Sequence, residues 1–207
     1  MARIHLPKEL TMRKVGDRTM PGVTQLGITP YMTKEEISEY IQYLDTILLR
    51  RALGLSDDGR GVGGTKKIAS DPGSLVVRDL LPYYEFNIHT NVNDWQIDLT
   101  ADTAGTATAG LTEMPDDEYW GIYGFTEITS SPSIYEVKFT SGAVTKEIWQ
   151  VEQLRLLAET KIGIGISPVI YHPSQPIAIT VTGKSTATVE PVFLGRVCEM
   201  RGVIVNG

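Results

Sequence analysis

The stretch from Gly59 to Lys66 is the first place where residue types and spacing suggest chemistry. Its letters GRGVGGTK are similar to the phosphate-binding pattern GxxxxGK[ST], in which backbone amides cradle a phosphate. The match fails because threonine and lysine stand in the wrong order and no apolar strand leads into the stretch. We therefore interpret it as a glycine-rich surface loop and expect no bound nucleotide.

Metal binding is the second chemistry to consider. Acidic residues cluster at Asp57-Asp58, Asp71 and Asp116-Asp117-Glu118, but without the spacing of a calcium-binding EF-hand loop. We interpret them as solvated loop residues, with calcium binding left open. The three histidines, His5, His89 and His172, lack the HxH or HxxxH spacing of a metal centre, so we expect neither a metal nor another cofactor.

Covalent catalysis has one candidate nucleophile, the single cysteine Cys198. It lies in an apolar run, where a buried thiol is typical, and no GxSxG elbow occurs elsewhere. We therefore predict no enzyme. A glycosidase-like pair of carboxylates stays open, because its members meet only in the folded chain.

Aromatic residues supply a further alternative, a sugar-stacking platform. Such residues more often fill a sandwich core, because each buries a large apolar area. The candidates are Tyr83, Tyr84, Phe86, Trp95, Tyr119, Trp120, Tyr123 and Phe125.

Chain length and composition limit the classes of protein to which the chain can belong. The 207 residues suffice for one domain with extensions, and 42% apolar and 21% charged residues are typical of a globular protein. A net charge of -6 argues against nucleic-acid binding by the whole chain, although residues 1–18 carry +3 and allow a weak contact. No stretch approaches the roughly 20 apolar residues of a membrane span, and the N-terminus lacks a secretory apolar core.

The N-terminal quarter divides into three segments. Residues 1–32 mix proline and glycine with isolated apolar residues, which indicates an extended arm that needs a partner surface. Thr33 and Glu36 have capping-box spacing, and apolar residues then recur every three or four positions, so we predict an amphipathic helix over 33–53 that stops at Gly54. Residues 54–74 are predicted as a glycine-rich loop.

Residues 75–207 are predicted to form a β-sandwich domain. Short runs of β-branched and aromatic residues alternate with turn residues about every ten positions. The predicted strands are 75–80, 83–90, 94–100, 104–111, 120–128, 133–140, 161–171, 176–183, 186–193 and 197–205. The clearest alternation sets Ile177, Ile179 and Val181 against Ala178, Thr180 and Thr182, which predicts one buried face.

Two details of this domain depend on local sequence. Pro132-Ser133, Ser141-Gly142 and Gly183-Lys184 lie between β-prone runs and indicate hairpin turns. Residues 147–158 fit either a short amphipathic helix or a continued strand.

A likeness appears in the last strands. The runs SPVIYHP from Ser167, QPIAITV from Gln175, VFLG from Val192 and GVIV from Gly202 resemble the closing strands of jelly-roll proteins of icosahedral virus particles. The likeness lies in strand rhythm over about 75–205. It implies a mainly β, jelly-roll-like antiparallel sandwich or barrel, with an N-terminal arm and one helix that lace neighbouring subunits together. Residues 1–18 are less basic than a genome-binding arm, which favours a shell built on other contacts, or a minor or cement subunit.

Three functions are therefore weighed. The leading one is a structural virion protein that self-assembles through arm, helix and sheet edges, with copies of itself and other virion proteins as partners. The alternatives are a carbohydrate- or ligand-binding β-sandwich module and a cupin-like or glycosidase-like enzyme. Localisation is expected in the virion, and otherwise in the cytoplasm or undetermined. The predicted assembly residues are Ile4, Leu6, Leu10, Met12, Val23, Leu26, Ile28, Ile37, Ile41, Leu44 and Leu48.

Overall fold

The computed structural model describes residues 33–58, 66–82, 95–108, 111–152 and 162–202, together with the backbone of three two-residue strands upstream. There is one α-helix in these ranges, α1 (Lys34–Ala52), and one 3-10 turn (Pro72–Ser74). The strands are β1 (Lys14–Val15), β2 (Arg18–Thr19), β3 (Ile28–Thr29), β4 (Leu75–Asp79), β5 (Ile97–Leu99), β6 (Ala104–Thr106), β7 (Glu118–Glu127), β8 (Ile134–Ser141), β9 (Val144–Gln150), β10 (Gly163–Tyr171), β11 (Ala178–Gly183), β12 (Ala187–Val189) and β13 (Pro191–Met200).

The main strands form two antiparallel sheets. One has the order β3-β10-β7-β13-β4 and the other β6-β11-β8-β9. The short pair β5-β12 continues the β6-β11 pair, since the Asp102 amide donates to the Gly183 carbonyl at the corner between them. The chain changes sheets between β4 and β5, β6 and β7, β7 and β8, β9 and β10, β10 and β11, and β12 and β13, which is the double Greek-key pattern of a jelly roll. The predicted fold class is confirmed.

A core of large aromatic side chains fills the space between the sheets. Trp120, Phe125, Phe139, Trp149 and Phe193 are all buried there. Phe139 and Trp149 meet edge to face with ring centroids 4.5 Å apart, and Phe193 contacts Phe139 in the same manner at 6.3 Å. The Phe139–Phe193 contact joins strands of opposite sheets and helps to fix how the two sheets pack, whereas Phe139 and Trp149 lie on neighbouring strands of one sheet.

Helix α1 begins with the predicted capping box. Thr33 accepts from the Glu36 amide, and the Glu36 carboxylate accepts from the Thr33 amide at 2.7 Å. The helix ends before Gly54, whose φ of +74° is the left-handed conformation that glycine adopts easily. The helix prediction is therefore confirmed.

The helix covers the outer face of the five-stranded sheet, where a second core forms. Tyr40, Leu44, Leu48 and Ala52 are buried there together with Tyr119, Tyr123, Ile164 and Cys198. Gly121 makes the close approach possible, because a Cβ at that position would lie 2.6 Å from Leu44 Cδ1. Because Gly121 of β7 has no side chain, Leu44 of the helix can pack directly against that strand.

Several strand predictions need correction. Of the three predicted hairpin turns, only Ser141-Gly142 forms a hairpin, between β8 and β9. The hairpins predicted at Pro132-Ser133 and Gly183-Lys184 are wrong, because the strands that flank each of these positions do not pair with one another. The buried Glu127 carboxylate instead holds the β7–β8 crossover by accepting from the amides of Ser133 and Ile134 at 2.9 and 3.2 Å.

Two further regions differ from expectation in detail. Residues 147–150 continue strand β9, so the strand alternative is confirmed there, while 153–161 lie outside the described residues. The run 191–200 is one strand, although two were predicted with a break at 194–196. Arg196 lies within this strand, and its side chain leaves the sheet to bind Asp45 of the helix. The predicted strand 83–90 and residues 203–205 lie outside the described residues.

Candidate assembly surface

Strand β3 places the N-terminal segment at one edge of the five-stranded sheet. Ile28 pairs with Gly165 and Thr29 with Ile164 of β10. Tyr40 of α1 binds β10 at the same position, since its hydroxyl donates to the Gly165 carbonyl at 3.1 Å. Burial raises the pKa of Tyr40 far above its ordinary value, so it stays a donor. The segment therefore joins the domain at the outer edge of β10.

The predicted assembly residues on the helix have a different role. Leu44 and Leu48 are fully buried against the sheet of their own chain, and Ile37 and Ile41 pack against the same core. Leu44 and Leu48 have no surface to offer a neighbour, so their assignment to an interface between subunits is wrong. Amphipathic spacing shows that a helix buries one face, but it does not say against what.

The remaining predicted assembly residues belong to the arm. Ile28 lies in β3, where the structure describes backbone pairing. The other six lie outside the described residues: Ile4, Leu6, Leu10, Met12, Val23 and Leu26.

Strand β9 is the open edge of the four-stranded sheet. It pairs with β8 on one side and, among the described strands, with none on the other. Val144 is 65% exposed and Ile148 is 38% exposed along it. An exposed strand edge presents unpaired amides and carbonyls that another chain can pair with, and apolar side chains on that edge strengthen the contact. Sequence alternation does not reveal which strand lies at an edge.

Lys146 interrupts this edge at a β-bulge. The register of β8 and β9 shifts between Phe139 and Thr140, and Lys146 lies opposite the shift. Its ammonium donates to the Ile170 carbonyl at 2.8 Å and lies 5.0 Å from the centre of the Tyr171 ring. Burial and the charge of Arg51 lower the pKa of Lys146. The bulge ties β9 to β10 and divides the open edge into two halves.

The candidate aromatic platform does not form from its described members. Trp95, Tyr119, Trp120, Tyr123 and Phe125 are all buried in the two cores. Tyr83, Tyr84 and Phe86 lie outside the described residues. The five described rings therefore serve packing, as the sequence favoured.

Two of the candidate acidic residues, Asp57 and Asp116, are paired with basic side chains. Asp57 accepts two hydrogen bonds from Arg51, both at 2.7 Å, and this contact holds the pKa of Asp57 below its usual value. Asp116 pairs with Lys66 at 2.8 Å, which likewise lowers its pKa. Within the described ranges, no group of three metal-binding side chains converges. The glycine-rich stretch 59–65 lies outside those ranges.

Cys198 and His172 both lie on the helix-facing side of the domain. Cys198 is fully buried, and burial raises the pKa of its thiol to about 12, so it is a packing residue as predicted. His172 is half-buried with its ring edge on Tyr119. Burial lowers the pKa of His172 to about 4, with the charges of Arg51 and Lys146 as smaller causes.

The sequence did not predict one cluster of charged residues, which lies largely buried between the strands. Glu118 of β7 lies opposite Glu199 of β13, and Arg78 of β4 binds Glu199 at 2.7 and 3.1 Å. Trp120 Nε1 donates to Glu118 at 2.7 Å. Only the strand register brings these residues together, since they are spread over more than a hundred positions. Arg78 and Trp120 thereby satisfy two carboxylates in an otherwise apolar layer.

Comparisons with known proteins do not assign a family. No protein-family model matches the chain, and no curated protein matches it. In the ranges that the structure describes, no helix has the length and apolarity needed to cross a bilayer.

Proposed function

We propose that the chain is a structural virion protein, a capsid or a minor or cement subunit, that assembles with copies of itself. Its place in the virion and its contacts with other virion proteins belong to the same proposal. The jelly roll supports it as a fold that builds shells, although lectin domains and cupins share that fold. The fold therefore does not decide between these functions, and the exposed surfaces of the domain are the features that distinguish them.

The observation that carries the proposal is the open edge of β9. Its exposed Val144 and Ile148 lie on a strand that has an unpaired side among the described strands. Natural sheets normally protect such an edge with charges, proline or a covering segment. The β9 edge carries a bulge at Lys146, but it keeps Val144 and Ile148 exposed on either side of that bulge, and these two stretches are suited to pairing with another subunit.

The N-terminal segment supplies the second contact in this proposal. It starts from the β10 edge, on the other sheet, and residues 1–27 are rich in apolar residues broken up by proline and glycine. Such a segment stabilises an assembly when it lies on a neighbour, because the apolar residues then leave water. We assign the arm this role and assign helix α1 to the subunit itself.

Removal of residues 2–27 tests the proposal. The deletion keeps β3, its pairing to β10 and helix α1, so the subunit should fold and unfold as the full chain does in circular dichroism. Light scattering should show particles for the full chain and single subunits for the shortened one. Particles of equal size from both proteins would remove the arm from the assembly, and a full chain that stays monomeric would contradict the proposal.

A further inference from the structure

Three segments of the chain meet at His172. The residue follows β10, and its amide donates to Gln175 Oε1 at 2.9 Å, which fixes the turn. Its ring lies edge-on to Tyr119 of β7, with centroids 5.6 Å apart and planes at 88°. The Tyr119 hydroxyl in turn donates to the Lys66 carbonyl, in the segment that follows the helix and its loop. Through Tyr119, the ring is therefore connected to the segment that links helix α1 to the jelly roll; we call this link the join.

At this place, backbone hydrogen bonds hold the C-terminal end of α1 to the segment that follows the loop. The Ala52 carbonyl, at the end of α1, accepts from the amides of Ile68 and Ala69 at 2.9 and 3.2 Å. Ala52 and Ala69 are both buried in the core beneath the helix, together with Tyr119. Movement of Tyr119 would disturb the Lys66 contact and these two hydrogen bonds together.

The groups around His172 suit a neutral ring. Arg51 comes from α1, Asp57 from the turn after it and Lys146 from β9, and each acts electrostatically on the ring. Asp57 is already hydrogen bonded to Arg51, and Lys146 to the Ile170 carbonyl. Tyr119 and Tyr171 are uncharged at neutral pH. Protonation would add a third positive charge, with one carboxylate to balance the three.

Nδ1 of the ring has no hydrogen-bond acceptor among the described residues. His172 Nδ1 is buried and makes no hydrogen bond in the described part of the chain. A neutral imidazole can leave that nitrogen without hydrogen, whereas an imidazolium carries hydrogen on both nitrogens. An unpaired buried N–H beside two cations is unfavourable, and opening the join to water relieves it.

From this geometry we propose that His172 is an acid-sensitive latch, which releases the C-terminal end of helix α1 from the jelly roll when its ring takes up a proton. The latch is a property of the single subunit and does not depend on assembly. In a particle it would loosen the helix layer on acidification.

The pH window follows from the pKa values. The folded pKa of His172 is lowered to about 4, against an ordinary value of 6.5. The open state therefore binds a proton that the closed state does not, so the closed join is most stable above pH 6.5 and weakens as the pH falls toward 4. The pKa values of Asp57 and Asp116 are lowered, so both carboxylates stay ionised across this window.

Hydrogen exchange measured by mass spectrometry on the full chain tests the latch. After correction for intrinsic rates, the protection of a peptide that contains Ile68 and Ala69 should fall about tenfold or more between pH 7 and pH 5. His172→Phe keeps a ring against Tyr119 and removes the titration, so its protection should stay constant. His5→Phe, the matched control, should behave as the wild type.

Two results would overturn the latch: an equal loss of protection in His172→Phe, or no loss in the wild type. Lys146→Met provides a second variant in case the phenylalanine chain does not fold. It removes one neighbouring cation and brings the pKa of His172 closer to 6.5, so the loss at pH 5 should be smaller than in the wild type. A loss of the same size would also contradict the proposal.

Discussion

The guanidinium of Arg196 binds the carboxylate of Asp45 through two hydrogen bonds, Nε to Oδ1 at 2.8 Å and Nη2 to Oδ2 at 3.1 Å. Arg196 lies on β13 and Asp45 on α1, so the pair fastens the helix to the middle of the five-stranded sheet. Arg196 also binds Asp79 of β4 at 2.5 Å. One arginine thus joins a helix and two strands.

The two carboxylates on Arg196 give a matched pair of variants. The Asp45 side chain is 25% exposed and the Asp79 side chain is 76% exposed. Because water screens the exposed pair, Asp79→Asn should lower the free energy of unfolding by less than about 0.5 kcal/mol. Asp45→Asn should lower it by about 1 to 2 kcal/mol, since it weakens two hydrogen bonds to a charged group. Urea unfolding measures both, and equal effects would contradict this account of the pair.

Gly121 and Leu44 should be energetically coupled. Gly121→Ala places a methyl group in the space of Leu44 and should cost about 1 to 3 kcal/mol. Leu44→Ala should cost about 2 to 5 kcal/mol through the cavity it leaves. The double variant should cost clearly less than both together, because the new methyl group enters that cavity. Additive costs in urea unfolding would show that the two residues do not share one space.

Cys198 should resist thiol reagents in the folded protein. Its thiol is buried and its pKa is raised to about 12, so little thiolate exists at pH 8 and reagents cannot reach it. Iodoacetamide should leave the native chain unmodified and should modify one site per chain in guanidinium chloride, as read by intact mass. Rapid modification of the native chain would place Cys198 in a mobile or open region.

The exposed apolar residues on β9 should control assembly without affecting the fold. Val144→Lys combined with Ile148→Lys adds charge to the open edge and should reduce the particle fraction at least tenfold. The free energy of unfolding should change by about 0.5 kcal/mol or less, because both side chains are already exposed. Light scattering and urea unfolding measure the two effects.

Ile128→Lys is the matched control for that edge variant. Ile128 is 59% exposed, but it follows the end of β7, and its amide donates to the Glu190 carbonyl beside the start of β13 in the other sheet. This variant should assemble as the wild type does. Loss of particles in the control as well would mean that added positive charge, and not the edge, prevents assembly.

The sequence predicted those elements whose cause is local. Thr33 and Glu36 cap the helix through contacts three residues apart, and Ile177, Ile179 and Val181 alternate because a strand does. Turn residues indicated where the strands end, and their spacing was sufficient to predict a β-sandwich. The signal at Pro132-Ser133 correctly indicated a break between two strands, but the predicted hairpin was wrong, because a turn does not specify which sheet the next strand joins.

Long-range placement was beyond the sequence. The burial of Leu44 depends on a glycine 77 positions away on β7. The lowered pKa of His172 depends first on burial and then on the charges of Arg51 and Lys146 from two other elements. The exposure of Val144 depends on the position of β9 at the end of its sheet. Each of these relationships depends on how the helix and the strands are arranged in the folded chain. The spacing of residues along the sequence does not predict that arrangement.

Sedimentation velocity of the purified full chain over a hundredfold range of concentration measures the central claim most directly. A structural subunit should give a fast-sedimenting boundary of many copies, whose fraction rises with concentration relative to a slow boundary of free subunits, and the same sample should show closed particles of uniform size in electron micrographs. A lone boundary at 22.8 kDa at every concentration would contradict the assembly role assigned to this jelly roll.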